Sequence, residues 1–113
     1  MDITRSTLNG VQIIEVKGRL TADCAENYKQ TLTDIIAKNN RLVIDLAKLE
    51  YIDSTGLGAM VYILQQTLDN GGELKIARLQ GKSRIVFDIT KAYKIFDIFD
   101  TVEEAVAAAL KNK

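Results

Sequence analysis

Residues 41–60 run RLVIDLAKLEYIDSTGLGAM, and the two halves of that run follow different patterns. The first half holds Leu42, Val43 and Ile44 in succession. A strand that is apolar on both faces belongs in the interior of a parallel sheet, under helices. A short link over residues 47–52 then leads into Asp53-Ser54-Thr55-Gly56-Leu57-Gly58. Beyond it Leu57, Met60, Val61, Leu64 and Leu68 recur at helical spacing, and Gly71-Gly72 stops the helix. Buried strand, tight turn and amphipathic helix together make the repeating unit of a layered α/β domain.

The flanks extend the same architecture. Residues 3–8 and 11–17 are β-type runs on either side of Asn9-Gly10, a two-residue hairpin signal because both positions tolerate φ > 0. Gly18 ends the second run. Ala25, Tyr28, Leu32, Ile35 and Ile36 then mark a helix, with Asp23 and Glu26 as a capping box and Thr21 as a competing cap. Lys38-Asn39-Asn40 closes it, since Asn accepts the left-handed conformation found at helix ends. After the Gly pair, residues 73–77 alternate as a strand with Leu74 and Ile76 on one face. Ile85, Val86 and Ile89 predict a short third helix, and residues 93–99 a brief strand. The last helix is capped by the Thr101-x-x-Glu104 box, with Val102, Ala105, Val106, Ala109 and Leu110 as its apolar face. Glu103 and Glu104 lie at its positive end, Lys111 and Lys113 at its negative end.

Composition bounds the function. The 113 residues fit one domain spanning 1–113, 47% hydrophobic and 27% charged, an ordinary globular balance. Fifteen basic against fifteen acidic residues give no net charge, which argues against direct nucleic-acid binding. No apolar run approaches the roughly 20 residues of a membrane helix, and the start of the chain lacks a signal peptide's apolar stretch. No membrane partner is therefore expected. With no His and one Cys, the usual zinc sites, His-based triads and Cys–His nucleophiles are excluded, and no metal or cofactor is expected. One cysteine makes no internal disulfide, in keeping with the cytoplasm.

The chemistry concentrates at Asp53–Gly58. A turn that delivers a hydroxyl to the start of a helix places it where backbone N–H groups lack partners and the peptide dipoles sum to positive charge. An anion attached there is tolerated, so Ser54 or Thr55 is a candidate phosphate acceptor. Gly56 and Gly58 leave backbone bare for another surface to approach. The plain alternative is structural: Ser54 or Asp53 simply caps the helix. A dinucleotide loop matches Gly56-x-Gly58 poorly, for Met60-Val61 stands where a third Gly belongs, and a P-loop lacks its Lys.

Four segments in order carry a resemblance over about residues 3–109: Gly18-Arg19-Leu20, Leu42-Val43-Ile44-Asp45-Leu46, Tyr51-Ile52-Asp53-Ser54-Thr55-Gly56-Leu57-Gly58-Ala59 and Gly71-Gly72-Glu73-Leu74. Together they resemble the STAS domain, and within it the stand-alone bacterial anti-sigma factor antagonists. The resemblance implies an α/β fold with a mixed, partly parallel sheet and about four helices packed largely on one face. It implies phosphorylation on the first hydroxyl after Asp53, hence Ser54. It also implies partner switching: the unmodified chain binds an anti-sigma factor that is also a serine kinase, a sigma factor is released, phosphorylation ends the contact, and a PP2C-like phosphatase resets it. The chain is then substrate and ligand, not an enzyme, with no catalytic residue of its own. Partner-binding residues carried over are Thr21, Asp23, Asp53, Ser54, Thr55, Gly56, Leu57 and Gly58. Where the family often has an acid after the Gly-x-Leu element this chain has Thr21, which moves that role to Asp23.

Two competing functions remain to be weighed. One is a nucleotide-sensing STAS module that holds a nucleotide phosphate near Ser54. The other is a hydrolase built on Asp45 and Asp53, the only convergent carboxylates in view. Attachment to an anion transporter is disfavoured by the lack of a spanning segment. Asp45 is expected at a strand end, bonded to the Ser54 turn, and Cys24 is expected to pack rather than to sense redox state. Lys75, Arg78, Lys82, Arg84, Lys91 and Lys94 read as a solvated basic surface. A monomer is the expected state.

Overall fold

The computed structural model of the chain describes residues 1–111, so the expectation for Lys113 lies outside the described residues. Strand β1 (Asp2–Leu8) turns through Asn9 (φ 54°) and Gly10 (φ 82°) into β2 (Val11–Leu20). Helix α1 (Ala25–Lys38) leads to β3 (Arg41–Asp45) and β4 (Leu49–Ile52). Helix α2 (Ser54–Asp69), β5 (Glu73–Ala77) and α3 (Gly81–Thr90) follow, then a single 3-10 turn at Ala92–Lys94, β6 (Ile98–Phe99) and α4 (Val102–Lys111). The sheet order is β1-β2-β3-β5-β6; β1 pairs antiparallel with β2 and the other ladders are parallel, which makes the sheet mixed.

The double-sided apolar character of β3 has the predicted cause. It lies between β2 and β5, with Leu42 and Ile44 in the core under α1 and α2 and Val43 on the opposite face with Ala105, Val106 and Ala109 of α4. Helices α1, α2 and α3 share the first face and α4 alone covers the second. Polar side chains finish the helix ends. Gln12 donates to the carbonyls of Ile35 (3.1 Å) and Asn39 (3.0 Å) at the end of α1, and Arg41 donates to the Ala109 carbonyl in α4 (2.8 Å). The Ile35 carbonyl also accepts the Asn39 N–H, so Gln12 adds a second bond there and ties the end of α1 to β2.

Several local expectations give way to tertiary structure. Gly18 does not end β2. At φ 92° it takes a conformation that side chains resist, the register shifts there, and the strand runs on to pair with β4. The link over 47–52 thus contains a strand, too short and mixed in character to show a period. Helix α1 begins at Cys24 with no side-chain cap, because the Thr21 hydroxyl donates to the Asp23 carboxylate and occupies both candidate caps. Asn39 is extended rather than left-handed; it ends α1 by donating its side-chain amide to the Gly10 carbonyl (2.8 Å) while its oxygen accepts from Arg41 N–H (3.0 Å). In α2 the buried stripe includes Ile63 and Thr67, whereas Leu68 is exposed. Helix α3 is present, yet Ile85 and Ile89 face solvent; Phe87 and Ser83 hold it down, and the Phe87 ring meets Phe96 at 5.7 Å between centroids.

The basic stretch is only partly a solvated surface. Lys75 is buried between Glu73 (3.1 Å) and Asp97 (2.7 Å). Burial alone pulls its pKa down, but bonds to Asp97 and Glu73 outweigh that and hold it above the ordinary lysine value. Arg78 binds Asp45 through two bonds, of 3.0 and 2.5 Å. Asp45 therefore closes the β3–β5 ends rather than bonding the Ser54 turn. Asp45→Ala is expected to cost about 1–2 kcal/mol in urea unfolding, since the lost partner leaves a guanidinium that is half in solvent.

Candidate functional site at the start of the middle helix

The site is built by Asp53. As the N-cap of α2 it accepts the Gly56 N–H on Oδ1 at 2.7 Å. Its other oxygen accepts the Ala22 N–H at 3.0 Å, and its own N–H donates to the Leu20 carbonyl at 3.3 Å. One residue thus ends β4, starts α2 and ties down the loop after β2. Gly56 makes this possible: a Cβ there would lie 2.1 Å from the Leu20 carbonyl oxygen and 3.1 Å from Ile52 Cγ1. Its bareness serves an internal close approach, not an external surface. Asp53→Ala is expected to lower stability by about 1–2 kcal/mol, read as a fall in the urea midpoint, through loss of the cap and of the bond to Ala22.

With capping assigned to Asp53, Ser54 is the first helical residue, and it is exposed. Its hydroxyl has no hydrogen-bond partner among the described residues. The Ser54 and Thr55 N–H groups lie in the first turn, where a helix leaves its donors unmatched. Thr55, Gly58 and Asp23 are exposed, and Thr21 is half-buried. The loop that carries Thr21 and Asp23 stands beside Ser54 because Asp53 holds it there. Gly56 and Leu57 differ from the rest of the expected contact set: both are buried, and they support the turn from beneath. Nothing lies within 4 Å of a Cβ at Gly58, so there the backbone is open as expected.

The surroundings mix both signs of charge, Asp23 and Glu50 with Arg19 and the Met1 amino group. A depression of about 300 Å³ beside the loop is lined by Arg19, Thr21, Asp23, Cys24 and Glu50, with Met1 and Gly18. The Thr21 hydroxyl, with Asp23's own backbone N–H, holds the Asp23 carboxyl below the ordinary aspartate value. Arg19 stacks on the Tyr51 ring at 4.9 Å. Cys24 is half-buried against the core, the packing role expected of it. Among the described residues no group of three or more His, Cys, Asp or Glu is placed to hold a metal ion. No helix among them is long and apolar enough to cross a membrane.

A hydroxyl freed from capping at the start of a helix, after a parallel strand and an Asp, is the arrangement that the four sequence segments converge on. The STAS domain family model matches residues 2–105. The chain belongs to the STAS domain family. BtrV of Bordetella bronchiseptica, a candidate anti-sigma factor antagonist by name, is 32% identical over 113 residues, 99% of this chain and 97% of BtrV. The anti-sigma-B factor antagonist of Bacillus subtilis is 31% identical over 90 residues, covering 80% of this chain and 82% of that one. The crystal structure of a candidate anti-sigma factor antagonist from Thermotoga maritima superposes with a TM-score of 0.87 at 26% identity, over 96% of this chain and 94% of that one. The mixed sheet and four described helices are those of the STAS fold.

The sequence missed two parts of the site. One is the Leu20–Asp53 contact, whose trace is Gly56, needed where the Leu20 backbone comes close, with Gly18 supplying the positive φ at the β2 register shift. The other is strand β4, which sets the direction from which Ser54 emerges.

Proposed function

We propose that this STAS chain is an anti-sigma factor antagonist that works by partner switching, with Ser54 as the phosphorylated residue. The observation that carries this reading is the division of labour at the start of α2. Asp53 does the capping, so the neighbouring exposed hydroxyl has no structural duty. Relatives named as anti-sigma factor antagonists, matched over most of both chains, support the partner class.

The unmodified face at Ser54, Thr55, Gly58, Thr21 and Asp23 docks an anti-sigma factor that is also a serine kinase, and a sigma factor is released. The kinase transfers the ATP γ-phosphoryl group to the Ser54 oxygen, whose proton leaves as the O–P bond forms and ADP departs. The product carries about −1.5 to −2 charges. Helix α2 accepts them at its N-terminal N–H groups, gaining about 0.3–1 kcal/mol per charge. The partner's surface has no such donors, and an unpaired charge buried there costs several kcal/mol. Asp53, the preceding residue, already places a negative charge beside Ser54, which sharpens the repulsion. Hydrolysis of the phosphoserine by a PP2C-like phosphatase restores the first state. The chain supplies no catalytic group, acts in the cytoplasm, and is monomeric between encounters.

The test is co-purification from the native cell with the wild type and Ser54→Ala, followed by site mapping of phosphate by mass spectrometry. The expected result is an anti-sigma kinase retained more strongly by Ser54→Ala, and phosphate on Ser54 of the wild type. Phosphate on Thr55 with Ser54 unmodified would refute the assignment.

A further inference from the structure

The outward side of α2 is one stripe that starts at the acceptor hydroxyl: Ser54, Thr55, Gly58, Tyr62, Gln65 and Asp69 are exposed and recur at three- and four-residue steps. Gly58 lies one turn beyond Ser54, and Tyr62 lies two turns, about 10 Å, beyond Thr55 on the same side. Gly58 has no internal reason to be glycine. Within an exposed helix a glycine costs about 0.5–1 kcal/mol against alanine. Gly56 offsets such a cost through the close approach of Leu20, whereas at Gly58 nothing lies within 4 Å of a Cβ and φ is not positive. A bare backbone on an outward face, one turn from Ser54, suits close approach by another molecule.

Helix α1 builds the second wall of this surface. The bond from Ala22 N–H to Asp53 joins the starts of the two helices, and further along them the Lys29 ammonium sits 4.9 Å from the centroid of the Tyr62 ring. Tyr62 is 42% exposed, so its ring is anchored by α1 without being covered. Between the helices lies a hollow of about 320 Å³, lined by Glu26, Lys29, Gln30, Thr33 and Asp34 of α1 and by Tyr62 of α2. Its charges are one cation and two carboxylates. Lys29 pairs with Glu26 at 3.4 Å, while Asp34 is exposed and has no hydrogen bond or ion pair among the described residues. Lys38, one turn beyond Asp34, does not line the hollow.

From these placements we infer that the docking surface for the anti-sigma factor runs from Ser54 over Gly58 to Tyr62, and that the hollow between α1 and α2 receives an arginine of that partner. This rests on the function proposed above. Size requires an extension in some direction: a specific complex covers about 800 Å² on each partner, more than one helical turn around Ser54 supplies. Continuity sets the direction, because the acceptor hydroxyl, the bare glycine and the tyrosine share one side of one helix. Chemistry names the side chain. A tyrosine held in one orientation loses little entropy on burial, and tyrosines are prominent among residues that carry binding energy. A guanidinium is planar, stacks on an aromatic ring and donates two parallel bonds to a carboxylate. Tyr62 and Asp34 offer that ring and that carboxylate from the two walls of the hollow. The acceptor turn then decides whether the partner stays, and position 62 decides which partner fits.

The experiment uses the purified anti-sigma factor recovered with Ser54→Ala, and titrates it by calorimetry against wild type, Gly58→Gln, Tyr62→Ala, Tyr62→Phe and Asp34→Lys, with a thermal melt of each. All the substituted positions are solvent-exposed, so melting is expected to stay near the wild-type value, and to rise for Gly58→Gln, where a better helix former meets no neighbour. Gly58→Gln nevertheless weakens binding at least tenfold, and so does Tyr62→Ala. Tyr62→Phe keeps the ring and binds as the wild type does. Asp34→Lys weakens binding several-fold, with the loss shrinking at high salt. Wild-type affinity in both Tyr62→Ala and Asp34→Lys overturns the inference, whatever Gly58→Gln does, and leaves the Ser54 reading standing. Failure of the wild type itself to bind any anti-sigma factor defeats that earlier reading and this one with it. A sedimenting dimer of the free chain that Tyr62→Ala dissolves, with partner affinity unchanged, assigns the stripe to a second copy and overturns the inference as well.

Discussion

Ser54→Asp is expected to weaken binding to the anti-sigma factor by about two orders of magnitude, while Ser54→Ala binds at least as tightly as the wild type and does not release. The argument is local. The side chain at position 54 is exposed and has no bond within the protein among the described residues, so neither substitution disturbs the fold. An Asp carboxylate there meets the positive end of α2 and costs the free chain nothing. In the complex that carboxylate loses its water with no donor opposite it. About 3 kcal/mol for such a burial corresponds to a hundredfold change in affinity. Circular dichroism of the two variants should match the wild type. Isothermal titration should separate them from each other by far more than either differs from the wild type in stability.

The second large effect is on folding. Gly56→Ala should destabilise the domain by about 3 kcal/mol, a fall in Tm of roughly 15 °C. The new methyl would lie 2.1 Å from the Leu20 carbonyl oxygen, which is backbone and cannot swing aside. Relief requires α2 to move off β2, and that movement breaks the Asp53 bonds to Ala22 and Leu20. Gly58→Ala, two residues on in the same helix, meets nothing within 4 Å. It should raise stability by about 0.5–1 kcal/mol, the usual gain of Ala over Gly in an exposed helix. Thermal melts of the two variants side by side check the contrast. Similar melting temperatures would mean that the Leu20 contact does not hold the site together.

What the sequence made legible follows from which forces act locally. The Asn9-Gly10 hairpin, the Gly71-Gly72 stop and the Thr101–Glu104 cap all rest on residues that determine their own backbone, and all are present. The interior strand β3 was legible because burial on both faces leaves an unbroken apolar run. The faces of α3 were not. Ile85, Val86 and Ile89 mark the helix but not its buried side: the rings of Phe87 and Phe96 fill the space beneath it, and Ile85 and Ile89 face outward. Strand β4 was hidden because a four-residue ladder with one side paired has no period to detect. Asp45 was legible as a strand end but not in its partner, since Arg78 lies 33 residues away and reaches it from a left-handed backbone (φ 59°).

The candidate site shows the same divide. The sequence marks Asp53, Ser54 and Thr55 as cap or acceptor, and the bond from the Gly56 N–H to the Asp53 carboxylate separates the two roles. Thr21 and Asp23 reached the candidate set through the family resemblance. Their position next to Ser54 depends on contacts across some thirty residues of chain: the Leu20–Ile52 pairing, the Asp53 N–H to the Leu20 carbonyl and the Ala22 N–H to the Asp53 carboxylate. Gly56 and Leu57 belong to the contact set through the same resemblance, but a helix turns neighbours to opposite sides, and these two turn inward.

The central claim is that charge on one exposed oxygen decides whether the partner stays. The most direct measurement is a calorimetric titration of the purified anti-sigma factor with the chain before and after stoichiometric phosphorylation mapped to Ser54. Affinity reduced about a hundredfold by the phosphate, with an unchanged circular dichroism spectrum, is the predicted result. Equal affinity for the two forms would contradict it.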